Sequence, residues 1–299
     1  MTDVAIGSIA APAPTPRRRK FKWSVVMDHA VLIAGSLFLT VPLFMLILST
    51  TIEDAELASK GLHLAIDDQL AENLDKALFV GKGFSGELTG FLMMQNSFIL
   101  GIGFAVGKIV VGMMAAYAIV YFRLRFATFA FWIIFTTLLL PLEVRILPSY
   151  EVIQGMGLVN TYTGLIVPLV ASATATFFFR QFFRSVPEEL VEAARIDGAS
   201  NMRIYWQLML PLSKPVIAIT AIYTFMGTWN DFLGPLIYLN SPENHTLALA
   251  LNAFRGQYGL SDAHLLMAAS FVCMLPCVVL FFAAQRYFIE GVATSGMKG

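Results

Sequence analysis

The sequence predicts an all-α integral membrane protein of about six transmembrane helices with a helical element on its cytoplasmic face. Three observations carry that reading. Of the 299 residues, 57% are apolar and 13% charged, where a soluble domain carries roughly 25% charge. Apolar runs of the ~20 residues needed to cross a bilayer recur along the chain, near residues 27–50, 96–122, 128–147, 160–182, 206–239 and 264–288. Lysine and arginine, finally, divide unequally between alternate connecting segments.

Six crossings put both termini on one side, and the positive-inside rule selects that side. Segments 1–26, 123–127, 180–214 and 285–299 hold 14 Lys and Arg, the opposite segments 51–95, 143–159 and 240–263 hold 5, and Lys108 remains inside a span. Both termini are therefore expected in the cytoplasm. The 20 basic and 20 acidic residues cancel, so no global field favours nucleic acid.

Taken in order, Ala10 to Pro16 reads as a flexible tail, followed by the basic cluster Arg17, Arg18, Arg19, Lys20 and Lys22. The first apolar run is too long for the apolar core of a secretory signal and no small-residue cleavage pattern follows it, so it reads as a retained helix. Eight acidic residues lie between Glu53 and Glu87, in an outer loop whose pattern is too weak to place helices. In the second span Gly103 and Gly107, then Gly112 and Ala116, repeat the small-residue interval that permits close helix contact. Pro141 and Pro148 bracket the end of the third span, and Pro235 and Pro276 interrupt the fifth and sixth. The backbone groups they free need neighbouring protein or a water-lined cavity. Cys273 and Cys277, one helical turn apart, read as small core residues.

The cytoplasmic stretch Arg180 to Lys214 is the most informative. Ser185 is expected to cap a helix with Pro187, Glu188 and Glu189 in its first turn. Leu190, Ala193, Ala194 and Ile196 supply a small apolar face, and Gly198 stops the helix. Ser200 caps the next one, which runs through Ile204, Leu208 and Leu210 into the fifth span at Pro211. The expected result is a short surface helix, a sharp turn and a rigid connection to a transmembrane helix.

That stretch, Glu192-Ala193-Ala194-Arg195-Ile196-Asp197-Gly198-Ala199 with Leu210-Pro211 downstream, resembles the EAA loop of permease subunits in binding-protein-dependent ABC importers. The resemblance implies a type I importer permease fold in the bacterial inner membrane. It also implies a coupling helix, formed by Glu192, Ala193, Ala194, Asp197 and Gly198, that docks on an ATPase subunit. Small residues there let the helix approach its socket, and Gly198 permits a positive φ. Trp229-Asn230 followed by Pro235-Leu236 resembles the fifth span of carbohydrate-importer permeases of the maltose type. Leu140 to Arg145 and Ala171 to Phe183 are closer to the permeases of sn-glycerol-3-phosphate importers, with a neutral sugar or polyol as the other cargo class. The implied partners are a homologous second permease, two ATPase subunits and a periplasmic substrate-binding protein; the lipid bilayer surrounds them. The domain plan is then a tail (1–26), a permease domain (27–290) containing the EAA loop (185–211), and a second tail (291–299).

No cofactor is expected on this chain. Gly107-Lys108 is not a phosphate loop, because Ile102 stands where the first glycine belongs and Ile109 replaces Ser or Thr. ATP and Mg belong, by the resemblance, to the partner ATPases. His29, His63, His245 and His264 are isolated in sequence and form no metal set. Charges inside spans cost at least ~2.5 kcal/mol each and need a reason. Lys108 either snorkels, pairs with a carboxylate or meets cargo. Glu143 and Arg145 fall on different helical faces, and Arg145 suits a bidentate anion or a neighbouring helix. In the sugar-transporting relatives the neighbourhood of Trp229, Asn230 and Asp231 lines the pathway, an amide and an aromatic ring suiting polyol hydroxyls and ring faces. A secondary transporter would show internal repeats, and a membrane enzyme would need a nucleophile or metal set in its spans; the sequence displays neither.

Overall fold

The computed structural model describes residues 23–61, 66–80, 88–122, 124–251 and 263–296. The tail 1–22 with its basic cluster, and the last three residues of the second tail, lie outside them.

Every regular element among the described residues is helical. Helix α1 (Trp23–Ser49) carries Pro42 near its end. Its portion up to Phe44 is a unit of its own, the rest of the chain forming the second. The acidic loop after α1 contains two helices that its sequence did not place, α2 (Asp54–Lys60) and α3 (Leu70–Phe79). Asn73 fixes α3 by donating to the carbonyls of Thr50 and Ile52, both at 3.1 Å.

The long helix α4 (Gly90–Tyr121) is the central post, packed along α8 (Ala173–Ser185) and α12 (Lys214–Trp229). Its small residues make that packing possible. A Cβ on Gly112 would fall 2.8 Å from the Cβ of Ala175 and 3.1 Å from the backbone nitrogen of Thr176. Gly103 and Gly107 likewise admit Ile166 and Val170, and Ala116 is buried. In a bilayer, where lipid is as apolar as leucine, this contact gain is what draws helices together.

Among the described residues three helices are long and apolar enough to cross a membrane, and three bent helix pairs bring the number to six if each pair is one span. After α5 (Ala127–Thr136) and a 3-10 turn, the chain breaks at Pro141 and turns by 106° into α6 (Leu142–Gly155). The short α7 (Tyr162–Ile166) meets α8 at 46°. The short α9 (Glu188–Ile196) is followed by α10 (Asn201–Ile204), a π-turn over Tyr205–Met209 and α11 (Leu210–Leu212), and this run meets α12 at 72°. The rigid connection expected here is therefore a jointed one. Pro211 has no N–H for the carbonyl of Gln207 and Lys214-Pro215 repeats the defect, so the chain widens and bends where the helical ladder is interrupted. Ser213 secures the joint: it is fully buried and its Oγ donates to the Met209 carbonyl at 2.6 Å.

Beyond α12 a break at residues 230–232 leads into α13 (Leu233–Tyr238), and α14 (Ala263–Gly296) closes the described chain with Pro276 inside it. It runs helically through residues assigned to the second tail.

Candidate translocation cavity and coupling helix

A cavity of about 840 Å³ opens between α4, α6, α8 and α12, a size suited to a small-molecule ligand. Pro141 frees α6 from α5 and so lets Arg145 reach it. Lys108 comes from the middle of α4, and Asn230 and Asp231 come from the end of α12. Hydroxyls line much of the remainder, among them Ser172, Thr174, Thr220, Tyr223 and Thr228. Three of the four residues expected on a substrate path, Lys108, Arg145 and Asn230, thus share one cavity.

The cations are sparsely satisfied. Lys108 Nζ lies 5.1 Å from the centre of the Phe104 ring, a cation–π contact. Arg145 Nε is buried with no hydrogen-bond partner, and so is Thr220 Oγ1. Glu143 forms no ion pair with Arg145: it is exposed while Arg145 turns inward. Asn230 caps its own helix, its Nδ2 donating to the Met226 carbonyl at 2.8 Å; the bond is local rather than between helices.

Trp229 departs from the expectation. It is 1% exposed and is not part of the cavity lining. Its ring stacks on Phe225 at 5.4 Å and meets Phe98 edge-on, and Nε1 donates to the Cys273 carbonyl at 2.9 Å. It is a bolt between α12 and α14. Successive helical residues are about 100° apart, so Trp229 and Asn230 do not present to the same side. Cys273 and Cys277 are free thiols packed against that cluster.

The second site is α9. Its N-cap is Pro187 with no side-chain bond, and Ser185 Oγ instead donates to the Phe182 carbonyl within α8. Ser185 is therefore not the cap the sequence led us to expect, because the chain is still finishing α8 at that residue. Ser200 does cap, accepting from the Arg203 N–H at 3.3 Å. Gly198 turns the chain at φ 79°, in the left-handed region that costs other residues about 1–2 kcal/mol.

The expected apolar face of α9 divides. Val191 is buried and Ala194 leans with it into a cluster containing Met113 and Tyr117 of α4, Phe179 and Phe183 of α8, and Ile204, Tyr205 and Met209. Leu190, Ala193 and Ile196 face outward, with Ile196 86% exposed, as are Glu192 and Asp197. Two phenols stitch the cluster together: Tyr117 donates to the Asn201 carbonyl at 2.8 Å and Tyr121 to that of Phe183 at 3.0 Å.

Near the start of α4, Asn96 Nδ2 donates to the carbonyls of Glu243 and His245, and its Oδ1 accepts from Tyr162. Burial lowers the His245 imidazole below its ordinary value of 6.5 despite opposing contributions from Leu239 and Glu243. Among the described residues no group of three or more His, Cys, Asp and Glu is placed to hold a metal ion; His63 lies outside them.

Comparison with known proteins agrees with this geometry. Residues 108–294 match the family model of binding-protein-dependent transport system inner membrane components. The chain is 40% identical over 271 residues to the sn-glycerol-3-phosphate transport system permease protein UgpE of Yersinia pestis, covering 90% of this chain and 96% of that one. The protein of the same name from Salmonella typhi is 41% identical over 274 residues, with the same coverage. A crystal structure of a bacterial ABC transporter that imports the acidic polysaccharide alginate superposes with a TM-score of 0.75, covering 93% of this chain and 100% of that one at 18% identity.

Proposed function

The chain belongs to the family of binding-protein-dependent transport system inner membrane components, and from that premise we propose that it passes sn-glycerol 3-phosphate across the bacterial inner membrane. It is a non-catalytic ABC importer permease, and the energy of transport comes from partner subunits. The observation that supports the cargo is the cavity: Lys108 and Arg145 enter it together with a bank of hydroxyls, which suits an anionic phosphate joined to a short polyol. Relatives bearing that cargo in their name are 40% identical over nine-tenths of the chain.

In this reading the complex holds a homologous second permease, two ATPase subunits that bind ATP and Mg, and a periplasmic binding protein. Both termini and α9 face the cytoplasm. The outward face of α9, with Glu192, Ala193 and Ile196, meets an ATPase, and Gly198 lets the chain double back into the run leading to α12. Closure of the ATPases moves that run, and the two permeases alternate between inward-facing and outward-facing states around the cargo.

The test is ATP turnover of the reconstituted complex with its binding protein loaded with glycerol 3-phosphate or with maltose. Stimulation by glycerol 3-phosphate is expected, and stimulation by maltose alone would overturn the cargo while leaving the architecture standing. Lys108→Gln and Arg145→Gln should each lower uptake at least about tenfold, since an unpaired phosphate in a partly buried site forfeits a charge-assisted bond of ~1.5–3 kcal/mol.

A further inference from the structure

The cavity holds a third charge that the cargo reading does not use. Asp231 sits in the break between α12 and α13 and lines the cavity beside Asn230. Its carboxylate is held in place rather than free to swing. Oδ1 accepts the N–H of Gly234 at 3.2 Å. Glycine at 234 is a condition of this placement, because a Cβ there would stand 2.6 Å from Asp231 Oδ2. The fixed carboxylate is electrostatically coupled to Lys108, which also feels Arg145 as a like charge. No ion pair closes within the trio. Two cations and one anion leave the cavity with a single net positive charge, the carboxylate offsetting part of the positive charge without touching it.

We propose that Asp231 is a specificity-determining counter-ion that balances Lys108 and Arg145 while the pathway is empty and that an anionic cargo has to outcompete. The proposal rests on the cavity being the path of an anion, though not on which anion. Two uncompensated cations in a medium of lowered dielectric would hold any small oxyanion strongly. A transport site has to attract its cargo and still release it, and an internal anion weakens the hold on the departing one. Asp231 thereby keeps inorganic phosphate from lodging where the cargo must pass.

The experiment uses the complete complex in proteoliposomes and follows ATP turnover, stimulated by the loaded binding protein, against added inorganic phosphate. The ATPase chains are the same throughout, so a difference between variants belongs to this subunit. Asp231→Asn should lower the phosphate concentration for half inhibition by about tenfold, and Asp231→Glu should keep the wild-type response. Adding Lys108→Gln to Asp231→Asn should return sensitivity toward wild type; if that pair does not turn over, the phosphate-dependent rise in Tm of the complex reads the same binding. Gly234→Ala keeps the charge, displaces the carboxylate and should move the response in the direction of Asp231→Asn. An unchanged phosphate response in Asp231→Asn overturns the proposal, and if that variant does not assemble, an unchanged response in Gly234→Ala does so. A wrong cargo would appear in the wild-type complex as absent stimulation by glycerol 3-phosphate, with the phosphate series still readable on whichever loaded binding protein stimulates.

Discussion

Gly198 is the residue at which the chain turns after α9, and its φ of 79° sets what can replace it. Alanine there should cost about 1–2 kcal/mol, visible as a lowered Tm with uptake retained. Proline, locked near φ −65°, should abolish ATP-driven uptake, and unimpaired transport by Gly198→Pro would count against a coupling role for this turn. Trp229 makes a complementary case. Its Nε1 bond to Cys273 is lost in Trp229→Phe, which should lower stability by about 1 kcal/mol with the cargo concentration for half-maximal uptake unchanged. A residue contacting cargo would shift that concentration instead. His245 gives a pH signature. Its imidazole is held below 6.5 by burial, so the folded state resists a proton that the unfolded chain accepts. Stability is complete above 6.5 and falls as pH drops from there through the lower folded value. Thermal melts from pH 7.5 to 5.5 should show that loss, and His245→Gln should flatten it.

At the scale of elements, the contact of α4 with α8 is set by small residues. Gly112→Leu would drive a branched side chain into Ala175 and the Thr176 backbone, and overpacking of this kind costs roughly 1–3 kcal/mol or more. The expected outcome is poor assembly of the complex, read as its yield on co-purification. Much at this scale was legible beforehand. The interval of Gly103, Gly107, Gly112 and Ala116 announced a close contact, Pro141 announced the break that admits Arg145, and Ser200 and Gly198 were readable as cap and stop. Less was legible where tertiary packing decides. The π-turn over Tyr205–Met209 leaves no mark on hydrophobic periodicity beyond Pro211 beside it. Helix α3 is fixed by Asn73 bonding to carbonyls more than twenty residues away. Ser185 had the capping spacing, yet α8 simply extended through it. Trp229 is adjacent to Asn230 in sequence yet sits on another face of the helix, buried away from the cavity, and adjacency in sequence does not reveal that. Asp231 carried a signal, a carboxylate inside an apolar span, but its meaning required the positions of Lys108 and Gly234.

For the whole molecule, the apolar stretches were legible from hydropathy because a bilayer demands length and apolarity and little else; three of them are straight helices, and the count reaches six when each bent pair is taken as one span. The asymmetry of Lys and Arg leads us to expect a cytoplasmic Ser200 and an outer Glu243, and labelling tests both. A single cysteine at exposed Ser200, in a background with Cys273 and Cys277 replaced, should react with an impermeant maleimide only when the cytoplasmic face is open to it. A single cysteine at Glu243 should react from the outside. The cavity of Lys108, Arg145 and Asp231 and the outward side of α9 both lie in the unit from Met45 onward, which also contains the cluster of Tyr117, Phe183, Val191 and Tyr205.

The close approach of Asp231 to Gly234 also reaches beyond one molecule. A glycine that exists to make room for a neighbouring carboxylate has no purpose once that carboxylate is gone. In descendant lineages the two positions should drift as a yoked pair: wherever an uncharged residue settles at 231, natural selection no longer forbids a methyl group three places on.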